Sequence, residues 1–300
     1  MDCLKSVMAQ DYAGRMEIIV VEQDRPRPHE ALDFFFSRHR GRITRIEQEE
    51  PNLPRARNAG IAAARGAVLL FIDDDVILPP AGISRLAEHL RGSQVKAVTG
   101  LVVSESGPQE SLEAYARQLG VPSVEEAQGP GQVDEFIGAL MMVSARAVRA
   151  AGGFDPCLGR LTPTAYGEDS DFCQRLRQAG AGLWIDPSVR ALHCDRLPGG
   201  CGSRQTDPEL ARKYQMKSMV YIRLKRSGWL GPGGWLQLVR GYLLNCDVLR
   251  EGLRQPLQNF LNLRAAIREV KAFMAGNGAK HSAPGPMSAG SQEPGRLRIS

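Results

Sequence analysis

The densest group of potentially reactive side chains is Asp73-Asp74-Asp75, three carboxylates that follow the apolar run Val68 to Ile72 without a break. Side chains alternate along an extended segment, which predicts Asp73 and Asp75 on one face and Asp74 on the other. Adjacent negative charges repel. A divalent cation, Mg2+ or Mn2+, relieves that best when substrate phosphates complete its shell. Three further groups stand out: Glu22-Gln23-Asp24, Arg57-Asn58, and Gly167-Glu168-Asp169-Ser170-Asp171 with His193 downstream. Singly, each has an ordinary explanation. Glu22 and Asp24 suit a solvated turn, Arg57 a helix surface, the acids at 168–171 a helix N-terminus, and His193 the end of a strand.

The elements that must carry these residues can be read from apolar periodicity. Five apolar residues, Val68 to Ile72, suit a strand buried on both faces, as in the middle of a parallel sheet. Such sheets bind ligands outside the carboxyl ends of their strands, where Asp73–Asp75 would lie. Residues 17–21 and 43–46 predict two shorter strands, with a helix over 29–40 between them. Asn52-Leu53-Pro54 leads into a small-residue helix ended by Gly66. Helices over 83–90 and 145–150, and strands over 95–103 and 136–143, continue the alternation. Glu168 opens a helix closed by Gly180, and strands at 183–187 and 189–193 finish the body. The pattern indicates an α/β layered domain. Residues 104–132 read as a variable insertion.

Three hundred residues with 43% apolar content allow one large domain and an appendage. The longest apolar runs are far too short to span a bilayer, and Met1-Asp2-Cys3-Leu4-Lys5 lacks a signal-peptide pattern, so a cytoplasmic location is expected. Six scattered cysteines without a CxxC pair point to reduced thiols. Residues 1–200 hold 22 Lys and Arg against 27 Asp and Glu, whereas residues 201–300 hold 16 against 6. The basic last third accordingly faces something anionic. No nucleic-acid motif accompanies it, and Trp229, Trp235 and Tyr242 among Lys and Arg fit an anionic membrane surface, or else a helical cap on the sheet domain. The expected organisation is a domain over 1–203, a basic helical extension over 204–274 and a disordered tail over 275–300.

Taken together, the motifs resemble the family 2 glycosyltransferases, inverting enzymes of the GT-A fold. The matching residues are Arg57-Asn58-x-Gly60, the run into Asp73-Asp74-Asp75, Gly152-Gly153-Phe154-Asp155, Gly167-Glu168-Asp169-x-Asp171 with Arg175-Leu176 and Gly180, then Pro187 and His193. The resemblance covers roughly residues 1–195. It implies a mostly parallel sheet flanked by helices, and transfer of a sugar from a nucleotide-diphosphate donor to a hydroxyl of a glycan, polysaccharide or lipid-linked acceptor. It assigns donor contacts to Glu22, Asp24, Arg57, Asn58, Asp73 and Asp74. Asp73, Asp75 and His193 would hold the cation, and Asp169, beside Glu168, would be the general base. Gly138 and Asp171 fall on the acceptor side. Residues 104–135 and the C-terminal helices would set acceptor choice.

One departure is serious. The family's usual first strand has no counterpart before Met1–Gln10, which resembles the helix that follows it. A start upstream or a truncated, inactive copy would each account for this, and a buried sheet without that strand leaves its neighbours' backbone groups unpaired. Two competing functions follow, a nucleotide-sugar-binding copy without catalysis and a sugar nucleotidyltransferase. The second usually carries a glycine-rich basic phosphate loop, and none is visible.

Overall fold

The computed structural model describes residues 1–23, 30–92, 95–104, 129–159, 164, 167–194, 208–227, 254–277 and 297–299. In chain order the elements are α1 (Asp2–Met8), β1 (Ile18–Gln23), α2 (Glu30–Arg38), β2 (Ile43–Gln48), α3 (Leu53–Ala63) and β3 (Val68–Ile72). Then come β4 (Val76–Ile77), α4 (Gly82–His89), β5 (Val95–Ser104), β6 (Gly131–Gln132), β7 (Leu140–Ser144), α5 (Ala145–Ala151) and a 3-10 turn at Pro156–Leu158. The last are α6 (Glu168–Gln178), β8 (Gly182–His193), α7 (Pro208–Ser227), α8 (Arg254–Asn277) and β9 (Leu297–Ile299).

The described residues fall into two compact units. The first runs to Asp155 and adds α6, β8 and β9. It is built on a nine-stranded sheet of order β2-β1-β9-β3-β7-β5-β8-β4, with β6 paired to β8. Strands β2, β1, β9 and β3 are parallel, β7 runs against both β3 and β5, and β5 is parallel to β8.

β3 is buried from both sides, as its composition predicts. Leu69 and Phe71 join Ile61 of α3 and the apolar faces of α5 and α6, while Leu70 joins the core under α1 and α4. Full burial of side chains of this size contributes about 1.5–3 kcal/mol each. Beneath the end of β3, Phe71, Phe154 and Phe172 form an aromatic trio, with Phe154 and Phe172 stacked at 4.2 Å between ring centroids.

Several expectations change. The chain does not stay extended through the carboxylates. The Val76 amide donates to the Asp73 carbonyl at 3.1 Å, a turn that sends the three side chains in different directions. The apolar run from Phe136 becomes a strand only at Leu140. Backbone groups of Phe136, Gly138 and Ala139 are instead claimed by Cys173, Asp169, Arg57 and Asp73. The two strands expected over 183–193 are one, β8, whose irregularity is absorbed as a register shift against Gly100 and Leu101 of β5. The position between β1 and β3, expected to lack a strand, holds β9. That strand lies in the segment expected to be a disordered tail, of which residues 278–296 and 300 fall outside the described residues.

The second unit contains the 3-10 turn, α7 and α8. Met216, Val220, Tyr221 and Leu224 of α7 pack on Leu263, Ala266 and Val270 of α8, with Cys157 and Leu158 in the same core. Trp229, Trp235 and Tyr242, and residues 105–128 of the expected insertion, lie outside the described residues.

Candidate active site

Arg57 is the hub of the acidic cluster. Asn52 caps α3, its side chain accepting the Arg55 amide at 3.0 Å, and the helix then carries Arg57 to the end of β3, where it meets Asp73. The guanidinium is buried. Its Nη2 donates to Oδ1 of Asp73 at 3.1 Å and to the Gly138 carbonyl at 2.9 Å, and its Nη1 donates to Oε1 of Glu168 at 3.3 Å. The Phe154 ring lies 5.1 Å below it. Burial disfavours the guanidinium's charge, but Asp73, Glu168 and Asp169 more than offset this and raise its pKa. The cation expected to reach the donor is thus committed to two carboxylates and a carbonyl of its own chain.

Gly138 lies between that cation and Asp169. Its amide donates to Oδ2 of Asp169 at 3.0 Å, while the Ser170 amide donates to Oδ1 at 2.8 Å. Each carboxylate oxygen therefore accepts one backbone donor and keeps capacity for a hydroxyl. A methyl group on Gly138 would lie 2.7 Å from Nη2 of Arg57, so this close approach needs glycine. The Asp73 amide donates to the Ala139 carbonyl at 3.1 Å, which ties the end of β3 to the same segment.

Two neighbouring acids are held well above the ordinary carboxylate range. Burial, reinforced by Asp169 and opposed by Arg57, raises Glu168 to about 7. Burial, then Asp169 and Asp134, raises Glu135 to about 7, and its carboxylate receives the Ser170 hydroxyl. Glu135 closes the stretch 104–135 expected to set acceptor choice but is not among the site residues singled out by sequence. The only signal was an acid just ahead of a buried run, which also describes any strand entrance. Burial likewise raises Asp73, with Arg57 opposing and Asp75 adding.

Asp75 turns the other way, to His193. Its Oδ1 is 3.4 Å from Nε2 of His193, because Val76 and His193 are register partners of β4 and β8 and the Cys194 amide donates to the Asp75 carbonyl at 2.8 Å. Asp74 is exposed. Among the described residues, no three His, Cys, Asp or Glu side chains are grouped to hold a metal. A carboxylate and an imidazole side by side, with Asp73 close enough to act on Asp75 electrostatically, still fit a Mg2+ or Mn2+ whose shell is finished by phosphate oxygens.

The other expected site residues are engaged elsewhere. Glu22 pairs with Arg45 of β2, which also holds Asp33 of α2 at 2.8 Å. Its neighbour Gln23 is the β1 residue tied to the α3 N-terminus, where its Oε1 accepts the Asn52 amide at 2.5 Å. Asp24 lies outside the described residues. Asn58 clamps the backbone of Phe154, giving and taking hydrogen bonds of 2.8 Å. Asp171 is buried against Arg175 at 2.8 Å, and Arg175 in turn reaches the carbonyls of Ala151 and Gly153. Asn58 and Asp171 therefore both fix the Gly152-Gly153-Phe154 turn.

A sheet of this order, with an acidic cluster outside the carboxyl end of its central strand, is the GT-A fold of the glycosyltransferases. Superposition on the solved structure of S. aureus TarS 1-349 in complex with UDP supports the fold, with a TM-score of 0.56 at 14% identity over 90% of this chain and 78% of that one. Residues 2–148, just under half of the chain, match the model described as glycosyl transferase family 2. The pre-mycofactocin glycosyltransferase of Mycobacterium tuberculosis is 30% identical over 145 residues, which is 47% of this chain and 30% of that protein. An N-acetylglucosaminyltransferase of Mesorhizobium japonicum is 30% identical over 119 residues, 35% of this chain and 25% of the other. The chain thus spans less than a third of the length of either relative.

Proposed function

We propose that the protein transfers a sugar, with inversion, from a nucleotide-diphosphate donor to a hydroxyl of a glycan, polysaccharide or lipid-linked acceptor. One observation carries this reading: Gly138 holds Asp169 by its amide and Arg57 by its carbonyl, and Arg57 holds Asp73. A proton acceptor and a carboxylate of the metal-binding motif are thereby linked through two residues, Gly138 and Arg57. In the reaction proposed, Asp169 takes the proton of the acceptor hydroxyl as its oxygen bonds to the anomeric carbon, and the bond from that carbon to the diphosphate breaks on the opposite face. Such base assistance contributes about 10²–10⁴-fold. Asp75 and His193, with Asp73 beside them, would hold a divalent cation, which when bound supplies positive charge to the departing diphosphate. Glu168 and Arg57 keep the base and the metal-binding turn at a fixed separation.

Asp169→Asn tests this reading. Transfer is expected to be abolished, while Mn2+-dependent binding of UDP, GDP or dTDP by calorimetry survives. A variant that keeps turning over removes Asp169 as the base. The binding-only reading draws on the engagement of Asp73 and Glu168 by Arg57, and donor hydrolysis assays separate the two, since a catalytically impaired copy releases no sugar. Pyrophosphate release would instead identify a nucleotidyltransferase.

The basic last third supports contact of a cytoplasmic protein with an anionic membrane surface. No helix among the described residues is long and apolar enough to cross a membrane. Salt-sensitive co-sedimentation with anionic vesicles is the expected result, and its absence would remove the membrane from the proposal.

A further inference from the structure

Among the described helices of the first unit, α2 alone buries no residue. Its composition is nevertheless apolar, with Leu32, Phe34, Phe35 and Phe36 in nine residues. Phe34 is 62% exposed, more than any other large apolar side chain among the described residues. A lone exposed ring would mean little. This one has charged company. Ser37 and Arg38, three and four residues on, share its side of the helix, and the Arg38 guanidinium carbon lies 5.7 Å from the ring centroid. Arg40 and Arg42 follow in the turn into β2, the outer strand of the sheet, and all three arginines are exposed. Among the described residues no carboxylate pairs with Arg38, Arg40 or Arg42, whereas Arg45 is paired with Glu22 and Asp33. The next acids in the chain, Glu47, Glu49 and Glu50, stand at or beyond the far end of β2. Between α2 and β2 an open cleft of about 400 Å3 is walled by Phe36, Ser37, Arg40, Gly41 and the Asp33–Arg45 pair. Arg40 is the uncompensated charge in it.

We propose that the margin formed by α2 and the turn into β2 is a docking surface for an anionic lipid bilayer. Phe34 enters the headgroup boundary, and Arg38, Arg40 and Arg42 face lipid phosphates. Apolar insertion and attraction to anionic lipid are the two forces that hold a helix at an interface. Each arginine near such a surface contributes roughly fivefold in affinity. A second copy of the chain fits the patch less well. In a two-fold dimer the patch meets itself. The three uncompensated arginines would then face the same three, and like charges brought together across an interface suppress association. This surface belongs to the first unit and is distinct from the basic last third, on which the membrane contact proposed above rests. It is also independent of whether the chain transfers a sugar.

Co-sedimentation of the full chain with vesicles of phosphatidylcholine and phosphatidylglycerol in equal parts is the first test. Phe34→Ser should weaken binding by at least about tenfold, and the combined Arg38→Ala, Arg40→Ala and Arg42→Ala variant by about a hundredfold at low salt. Binding unchanged in Phe34→Ser overturns the proposal and leaves the last third as the membrane contact. Equal binding to phosphatidylcholine alone overturns it as well, because the arginines would then have no part. The second test needs no loss of binding. Phe34→Trp keeps a ring at the same place, and the emission it adds should be quenched by vesicles carrying brominated acyl chains; added emission that stays unquenched in bound protein ends the argument. The third is sedimentation without vesicles. The proposal expects Phe34→Ser to leave the oligomeric state as it is, and a dimer dissociated by that substitution would give the surface to a second copy instead.

Discussion

The amide of Gly138 donates to Oδ2 of Asp169 across 3.0 Å, and so fixes the direction in which the candidate base points. The same residue offers its carbonyl to Arg57 at 2.9 Å. Asp169 and Asp73 lie far apart in the chain, and Gly138 and Arg57 together set the relation between them.

Gly138→Ala is expected to damage activity more than stability. The added methyl would lie 2.7 Å from Nη2 of Arg57, which is itself buried and held by two carboxylates. Overpacking of this kind costs about 1–3 kcal/mol. Either the guanidinium or the 136–139 segment must yield, and both move Asp169 relative to Asp73. Thermal unfolding should show a lowered but cooperative transition, and turnover should fall by more than about tenfold, since small misplacements of reacting groups are costly. Unchanged turnover would show that the segment has slack.

Arg57→Met removes the charge at nearly constant volume. Asp73 and Glu168 then lose the cation between them, and breaking a buried pair from one side costs about 3–5 kcal/mol. Denaturant unfolding is the measurement. Adding Glu168→Gln should recover part of the loss, because one of the stranded carboxylates is gone. Arg57→Lys should fall between, since a single ammonium cannot serve Asp73, Glu168 and the Gly138 carbonyl together.

Glu135 gives stability a pH dependence of definite sign. Its folded pKa is raised to about 7 from an ordinary 4.5, chiefly by burial. Between those values the folded protein binds more protons at this site than the unfolded chain, so stability falls as pH rises. The contribution is fully present below about pH 4.5 and is lost as pH rises through about 7. Glu135→Gln keeps an acceptor for the Ser170 hydroxyl and removes the titration. Its unfolding free energy should vary less between pH 5 and pH 8 than that of the unaltered protein, and should exceed it at pH 8. A slope identical to the parent's would mean that Glu135 titrates as an ordinary surface acid.

The sequence made β3, α3, α6 and the acids beside them legible because their signals are local: an unbroken apolar run, an N-cap with following proline, a glycine before a row of acids. What it left hidden depends on facing and register. Glu22 and Gln23 are adjacent, and only the side of β1 that α3 covers decides which one meets the α3 N-terminus; it is Gln23. Nothing local to Arg57 and Asn58 reveals that Asp73, Glu168 and Phe154 fold onto them. Residues 136–139 look like the start of a strand, since apolar composition cannot show that side chains from α3 and α6 take their backbone partners. β9 was invisible for a similar reason. Three residues carry no periodicity, and only their pairing with β1 and β3 marks them as a strand.

The turn at Asp73–Val76 divides the neighbouring carboxylates between two tasks, and this division predicts how the proposed metal-binding motif responds to substitution. Asp73 is tied to Arg57, whereas Asp75 stands 3.4 Å from His193. Asp73→Asn should therefore lower stability, because Arg57 loses a charged partner in a buried setting, along with any effect on the cation. Asp75→Asn and His193→Ala should leave the unfolding transition nearly unchanged and weaken Mn2+ binding, measured by paramagnetic resonance with UDP present, by at least about tenfold, the scale on which even outer-sphere changes alter metal affinity. The combined Asp75→Asn and His193→Ala variant should weaken binding less than the product of the two single effects, because ligands to one ion are coupled. Equal loss of stability in Asp73→Asn and Asp75→Asn would contradict the division. Mn2+ affinity indifferent to His193→Ala would leave Asp75 as the anchor and return the histidine to a role in pairing β4 with β8.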